Sequence, residues 1–295
     1  MSRLSREALD ALFTAVNTSL NAGLAKAWTG WQSWSNVIPS GGAGEKYPMM
    51  LVTGGMRKWV GDRVIHKLSG KTLTVRNEDF EHTEGVDRND IEDDAIRFYA
   101  PLFEAMGIDA GNHWGRLATA ALLEPGNWAD GKPFFSKSRK LGKGTYTNTV
   151  DGALSAETYE AARALMMGFT DATEQNPLGL LPDTLMVGSQ SEKIGKKLLQ
   201  AELVVESGAA VDNLNRGTAT LQVNPYIPGG QWFLLCTTRG IQAVSVQKRK
   251  EGALQRWDSD SDTCVKEKNE NHYGLHYRGA AAGTCPFVVV GGNLG

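Results

Sequence analysis

The stretch that most constrains this chain is WVGDRVIHKLSGKTLTVRNEDFEHTEGV, residues 59 to 86. It reads in β fashion on either side of Ser69 and Gly70, with Val64, Ile65 and Leu68 before the turn and Leu73 and Val75 after it. That pattern predicts a two-stranded hairpin. Its flanks set Arg63, His66, Lys67, Lys71 and Arg76 against Glu78, Asp79, Glu81 and Glu84, leaving little apolar surface for docking on its own core. An isolated hairpin is marginal in water, so this one is expected to lean on something else.

The rest of the chain has to supply a body. At 295 residues with 41% hydrophobic content, the length allows one large or two medium domains and a packed core. Disorder, collagen and coiled coil are excluded by composition. The charge balance, 31 Lys and Arg against 33 Asp and Glu, argues against a dedicated nucleic-acid binder, so contact with DNA is expected to be local or weak. Cys236, Cys264 and Cys285, an odd number at wide spacing, fit neither a disulfide framework nor a zinc site and are expected to be reduced thiols. The opening MSRLSREALDALF is interrupted by charge and has no signal-peptide core, and LQVNPYIPGGQWFLLC is cut by Pro225, Pro228 and Gly229. No run reaches the roughly 20 apolar residues of a membrane span, so the expectation is an aqueous compartment with no membrane partner.

Apolar residues at three- and four-residue steps from Leu4 to Leu24 predict a helix over 4–28. Trp28, Trp31 and Trp34 follow; each ring buries about 150–250 Å², and either the chain's own body or a neighbour can cover them. DRNDIEDDAIRFYAPLFEAMG reads as a helix capped by Asp87, with Pro101 kinking or dividing it and Gly107 stopping it, and a second helix is expected over roughly 112–124. Residues 125–151 form a glycine-rich loop carrying Lys137, Arg139, Lys140 and Lys143, a solvated face or a partner for acidic surface or phosphate. Ser155 to Met167 reads as a capped helix, PDTLMVG as a strand and SQSEKIGKKLLQAELV as a helix. TATLQV, QWFLLC, QAVSVQK, TCVKEK, HYGLHYR and CPFVVV read as strands. The class is α+β.

Motif fragments fail individually. Gly126 to Lys132 satisfies G-x-x-x-x-G-K, but Pro133 stands where the magnesium-binding Ser or Thr belongs, and a helix precedes it instead of a strand. Asp258, Asp260 and Asp262 imitate a calcium loop, yet Thr263 and Asn269 occupy the glycine and glutamate positions, so a solvated acidic turn is expected. His272 and His276 lack a third ligand. No G-x-S-x-G occurs, and the five histidines show no local link to a nucleophile. No catalytic residue, cofactor or metal is assigned.

From residue 59 onward the order of residues becomes specific: Trp59-Val60-Gly61-x-Arg63, Asn77, Phe80-Glu81-x-Thr83, Arg88-x-Asp90-Ile91-Glu92-Asp93-Asp94, Tyr99-Ala100-Pro101 and Phe103-Glu104-x-Met106-Gly107. Gly131-x-x-Phe134-Phe135, Pro177-Leu178-Gly179-Leu180, Trp232-Phe233-Leu234-Leu235, Gln247-x-Arg249, Tyr273-Gly274, Arg278 and Ala281-Ala282-Gly283 continue it. This pattern resembles the Mu-like phage major head subunit (gpT) family along essentially the whole chain. The tail departs from it at Cys285-Pro286-Phe287, where the family tends to carry an aromatic-rich strand.

The resemblance implies a Hong Kong 97-type phage capsid fold. It assigns 1–45 to an N-terminal arm and 46–87 to an extended hairpin loop. A peripheral domain with a spine helix takes 88–150 and 241–277, and an axial domain takes 151–240 and 278–295. It further implies a homo-oligomer of hexamers and pentamers in an icosahedral shell, assembled in a bacterial host cytoplasm and enclosing double-stranded DNA through weak non-specific contact. Scaffolding, portal and decoration proteins are the expected partners. Arg63, Lys67, Lys71, Arg76, Glu81, Asp90, Asp93 and Asp94 are the expected intersubunit contacts, because mixed charge on loop and spine sets register between copies. An encapsulin-like cargo shell and, on the defective Gly126 to Lys132 fragment alone, a nucleotide-binding enzyme are the alternatives.

Overall fold

A computed structural model describes residues 5–49, 58, 60–61, 71–93, 98–141, 144–171, 176–206 and 208–294. Helix α1 (Arg6–Ala25) starts where Ser5 caps it, the hydroxyl accepting the Ala8 N–H at 3.2 Å. Its stripe of Leu9, Leu12, Val16 and Leu20 is buried. The tryptophans after it fold back on their own chain, with Trp31 2% and Trp34 0% exposed. Lys248 Nζ lies over the rings of both Trp31 and Trp114.

Pro101 divides helices instead of kinking one. Helix α2 (Arg88–Glu92) is a short turn whose cap, Asp87, accepts the Asn89 N–H at 2.8 Å. Helix α3 (Ala100–Leu123) then begins with Pro101 in its first turn, where a missing N–H costs nothing. Its 24 residues span about 36 Å without a break. The expected stop at Gly107 and restart near 112 are therefore corrected. Gly107 is there for α1: a Cβ on it would sit 2.1 Å from the Leu20 carbonyl oxygen, and one on Gly23 would sit 2.0 Å from that of Glu104. Backbone meets backbone at this crossing, and a helix interior tolerates the glycine because packing returns more than propensity loses.

Two five-stranded sheets make up most of the β structure among the described residues. In the first, Glu270–Gly283 is the hub, pairing antiparallel with Val244–Glu251, Gln255–Trp257 and Glu78–Asp87, while Ser35–Pro39 runs parallel to Val244–Glu251. In the second, the order is Thr220–Val223, Thr184–Val187, Trp232–Leu235, Val289–Gly292 and Thr149–Val150. Its three inner strands are buried at every residue, which accounts for their unbroken apolar runs. Helix α4 (Ala156–Met167), with its Ser155–Thr158 capping box, and helix α5 (Glu192–Gln200) pack on this second sheet.

The segment read as a strand at TCVKEK is instead helix α6 (Thr263–Lys268), ended by Asn269 at φ 58°. A left-handed Asn just past the last turn is a helix stop that alternation counting does not detect.

Candidate assembly surfaces

The predicted hairpin turn at Ser69 and Gly70 lies outside the described residues, as do Arg63, Lys67 and Asp94. The returning half docks on its own chain, which corrects the expectation that it finds little support there. Thr72–Arg76 pairs antiparallel with Gly44–Pro48 as a two-stranded ribbon, and Glu78–Asp87 pairs with the hub strand over ten positions from Asp87↔Glu270 to Glu78↔Gly279. Backbone hydrogen bonds carry this docking, so charged side chains do not prevent it. The alternation then turns Phe80 and Val86 inward, Phe80 edge-on to His113 at 4.5 Å, and leaves Glu81 exposed.

Of the other expected contact residues, Lys71, Arg76 and Asp93 are exposed. Asp90 is half-buried and committed within the chain, accepting the Tyr99 hydroxyl. Where the ribbon ends, the Met49 N–H donates to the Lys71 carbonyl at 2.9 Å, so residues 49 and 71 are neighbours.

The basic loop is corrected at Arg139. This side chain is 2% exposed, pairs with the buried Asp130, donates to the Pro133 and Phe134 carbonyls and lies over the Trp128 ring. It pins the loop 126–134 and is not available to phosphate; Lys137, paired with Asp151 at 2.8 Å, is exposed. The Gly126 to Lys132 fragment is a turn, with the Trp128 N–H donating to the Lys132 carbonyl at 2.8 Å.

The acidic turn is corrected at Asp258, which is 3% exposed and faces Arg256 at 3.5 Å. His272 and His276 each meet a carboxylate at 2.8 Å, Glu270 and Asp79 respectively. Among the described residues no cluster of three or more His, Cys, Asp or Glu is placed to hold a metal ion. All three cysteines are free thiols, and burial pushes Cys285 up to about 11. No described helix is long and apolar enough to cross a membrane.

One surface escaped sequence reasoning. The hairpin of Leu203–Glu206 and Ala209–Asp212 leaves Leu203 and Val205 more than half exposed, and Leu214 beyond it is 88% exposed. Between this hairpin, α5 and the start of α4 lies a cleft of about 490 Å³ lined by Leu154, Ile194, Leu198, Val205 and Leu214. The signal was present as alternation in ELVVESGAAVD around Gly208, which takes φ +84° at the turn.

The family model for the Mu-like prophage major head subunit gpT matches residues 9–153 and 145–227, well over half of the chain. The chain belongs to this family. It is similar to the Mu-like prophage FluMu major head subunit of Haemophilus influenzae, 28% identical over 144 residues, which are 48% of this chain and 47% of that protein. It is also similar to the major capsid protein of Escherichia phage Mu, 30% identical over 150 residues, 50% of this chain and 48% of that protein. The chain thus matches about half the length of these curated relatives.

In fold it superposes on a chain of the bacteriophage JBD30 procapsid over 98% of its length and 75% of that chain, with a TM-score of 0.61 at 23% identity. A virus-like particle from Pyrococcus furiosus gives 0.53 at 11% identity over 95% of this chain and 98% of that one. The α+β architecture is a Hong Kong 97-type capsid fold.

Proposed function

We propose that the chain is the repeating subunit of a phage-type head, a structural protein and not an enzyme. Copies gather into hexamers and pentamers of an icosahedral shell around double-stranded DNA, assembled in the host cytoplasm and retained in the virion. Membership of the major head subunit family carries this reading. The near-neutral charge supports it, since a strongly basic lining would hold the genome too tightly to eject. Scaffolding, portal and decoration proteins belong to the same reading.

Within it, 1–45 act as arm and 46–87 as extended loop. Helix α3 and the strands Val244–Glu251 and Gln255–Trp257 belong to the peripheral domain (88–150 and 241–277), and the strands Thr184–Val187, Thr220–Val223, Trp232–Leu235 and Val289–Gly292 belong to the axial domain (151–240 and 278–295). Lys71, Arg76, Glu81 and Asp93, with Arg63, Lys67 and Asp94, set register between copies. Such contacts are heterologous, one surface meeting a different surface around each ring. The likeness to the Pyrococcus particle is one of fold, so the cargo-shell alternative has less behind it.

Negative-stain microscopy of the purified protein tests the proposal. Rings, sheets or closed shells are the expected result, and a strictly monomeric particle at all concentrations and salt conditions would overturn it.

A further inference from the structure

The ribbon formed by Gly44–Pro48 and Thr72–Arg76 is supported unequally. On one side Tyr47 and Met49 are each 5% exposed and packed into the body. On the other, Thr72–Arg76 overhangs a cleft lined by Leu73, Val75, Phe80, Leu117 and Ala281. Packing along a single strand leaves rotation about that strand weakly opposed, and two strands alone are marginal. The cleft beneath the second strand, which Thr74, Arg76 and Glu78 also line, leaves that strand room to move.

Gln247 opposes that rotation. Its side chain is 0% exposed; it accepts the Tyr47 hydroxyl at 2.9 Å and donates to the Val75 carbonyl at 3.1 Å and to Asn77 Oδ1 at 2.7 Å. One amide therefore grips both ribbon strands and the residue from which the chain passes into Glu78–Asp87. Asn77 is itself oriented, its Nδ2 donating to Ser40 Oγ at 2.7 Å and to the Gly42 carbonyl at 3.0 Å. Ser40 in turn donates to the Glu45 carboxylate at 2.8 Å, and Arg249 reaches the Ser40 carbonyl at 3.2 Å. Hydrogen bonding from Ser40 and the Gly41 N–H holds Glu45 below the usual carboxylate range, so it stays an acceptor. The pattern needs one acceptor and two donors at position 247; a carboxylate there has no N–H to give.

We propose that Gln247 is a positioning residue for assembly: it fixes how the ribbon of Gly44–Pro48 and Thr72–Arg76 sits on the body, and so the surface that this ribbon presents to a second copy of the chain. This rests on the head-subunit reading above.

Gln247→Glu tests it in two arms. In the unassembled protein, hydrogen exchange at 44–48 and 72–77 should quicken by about tenfold or more, while 232–235 and 289–292 stay as in wild type. In assembly, carried out well below the variant's own melting transition, the share of regular closed shells should fall against open or misshapen particles; a purely structural role would lower melting temperature and yield and leave the shape of the particles that form alone. Unchanged exchange at the ribbon, or faster exchange with normal shells, overturns the proposal. If Gln247→Glu does not fold, Tyr47→Phe, which removes one of the three bonds, decides the matter: faster ribbon exchange with more misshapen particles supports the latch, and wild-type behaviour in either assay overturns it. Failure of the wild-type protein to assemble under any condition would count against the head-subunit reading, while the exchange arm still reports on the latch.

Discussion

Single residues carry two expectations that separate structure from surface chemistry. Arg139 and Asp130 are buried together, so Arg139→Ala leaves a carboxylate and the Pro133 carbonyl without their donor. Breaking such a pair costs about 3–5 kcal/mol, which urea unfolding would register; a loss below about 1 kcal/mol would return Arg139 to the role of a surface cation. His113 is set edge-on to Phe80, Trp114 and Tyr277. Burial first, then Arg116 and Lys248, hold its imidazole below the usual 6.5. The unfolded chain therefore takes the proton first, and stability falls as pH drops through about 6.5, the loss being complete below the folded-state value. His113→Phe keeps the ring and removes the titration, so its melting temperature should fall less than that of wild type between pH 7 and 5. Parallel curves would dismiss the effect. Neither role was legible from the sequence: Arg139 looked like one of four basic loop residues, because nothing local tells a solvated cation from one that a distant turn encloses.

Among elements, the α1–α3 crossing gives the sharpest contrast between local and tertiary rules. By helix propensity Gly107→Ala gains up to about 1 kcal/mol. By packing it drives a methyl to 2.1 Å from the Leu20 carbonyl oxygen, and forced separation of packed helices costs about 1–3 kcal/mol. A net loss of melting temperature is expected; a gain would mean that the helices move apart freely. The same rules explain what was legible. Asp87 and Ser155 announced two helix starts because a cap acts within three residues of itself. Gly107 misled because a glycine in a helix has the same sequence appearance whether it ends the helix or admits a neighbour.

For the whole molecule, the decisive arrangement is that Met49 and Lys71 are hydrogen-bonded neighbours. Residues 62–70 can therefore be deleted without stretching the connection, and Thr72–Arg76, which the ribbon needs, stays in place. The deleted protein should keep the wild-type melting temperature within a few degrees and fail to form closed shells by sedimentation and microscopy. Normal shells from it would show that this segment does not join copies. The sequence by itself determined the class, the helix starts at Asp87 and Ser155, the strands of the second sheet and the family, because caps, alternation and residue order are local properties of a chain. Only the tertiary structure decided which charged segments dock at home. A hairpin with charged flanks offers little apolar surface to its own body, yet Glu78–Asp87 is held by a ladder of backbone bonds to the hub strand. Backbone amides are the same in every residue, so their partners, nearly two hundred positions away, leave no mark on the local sequence.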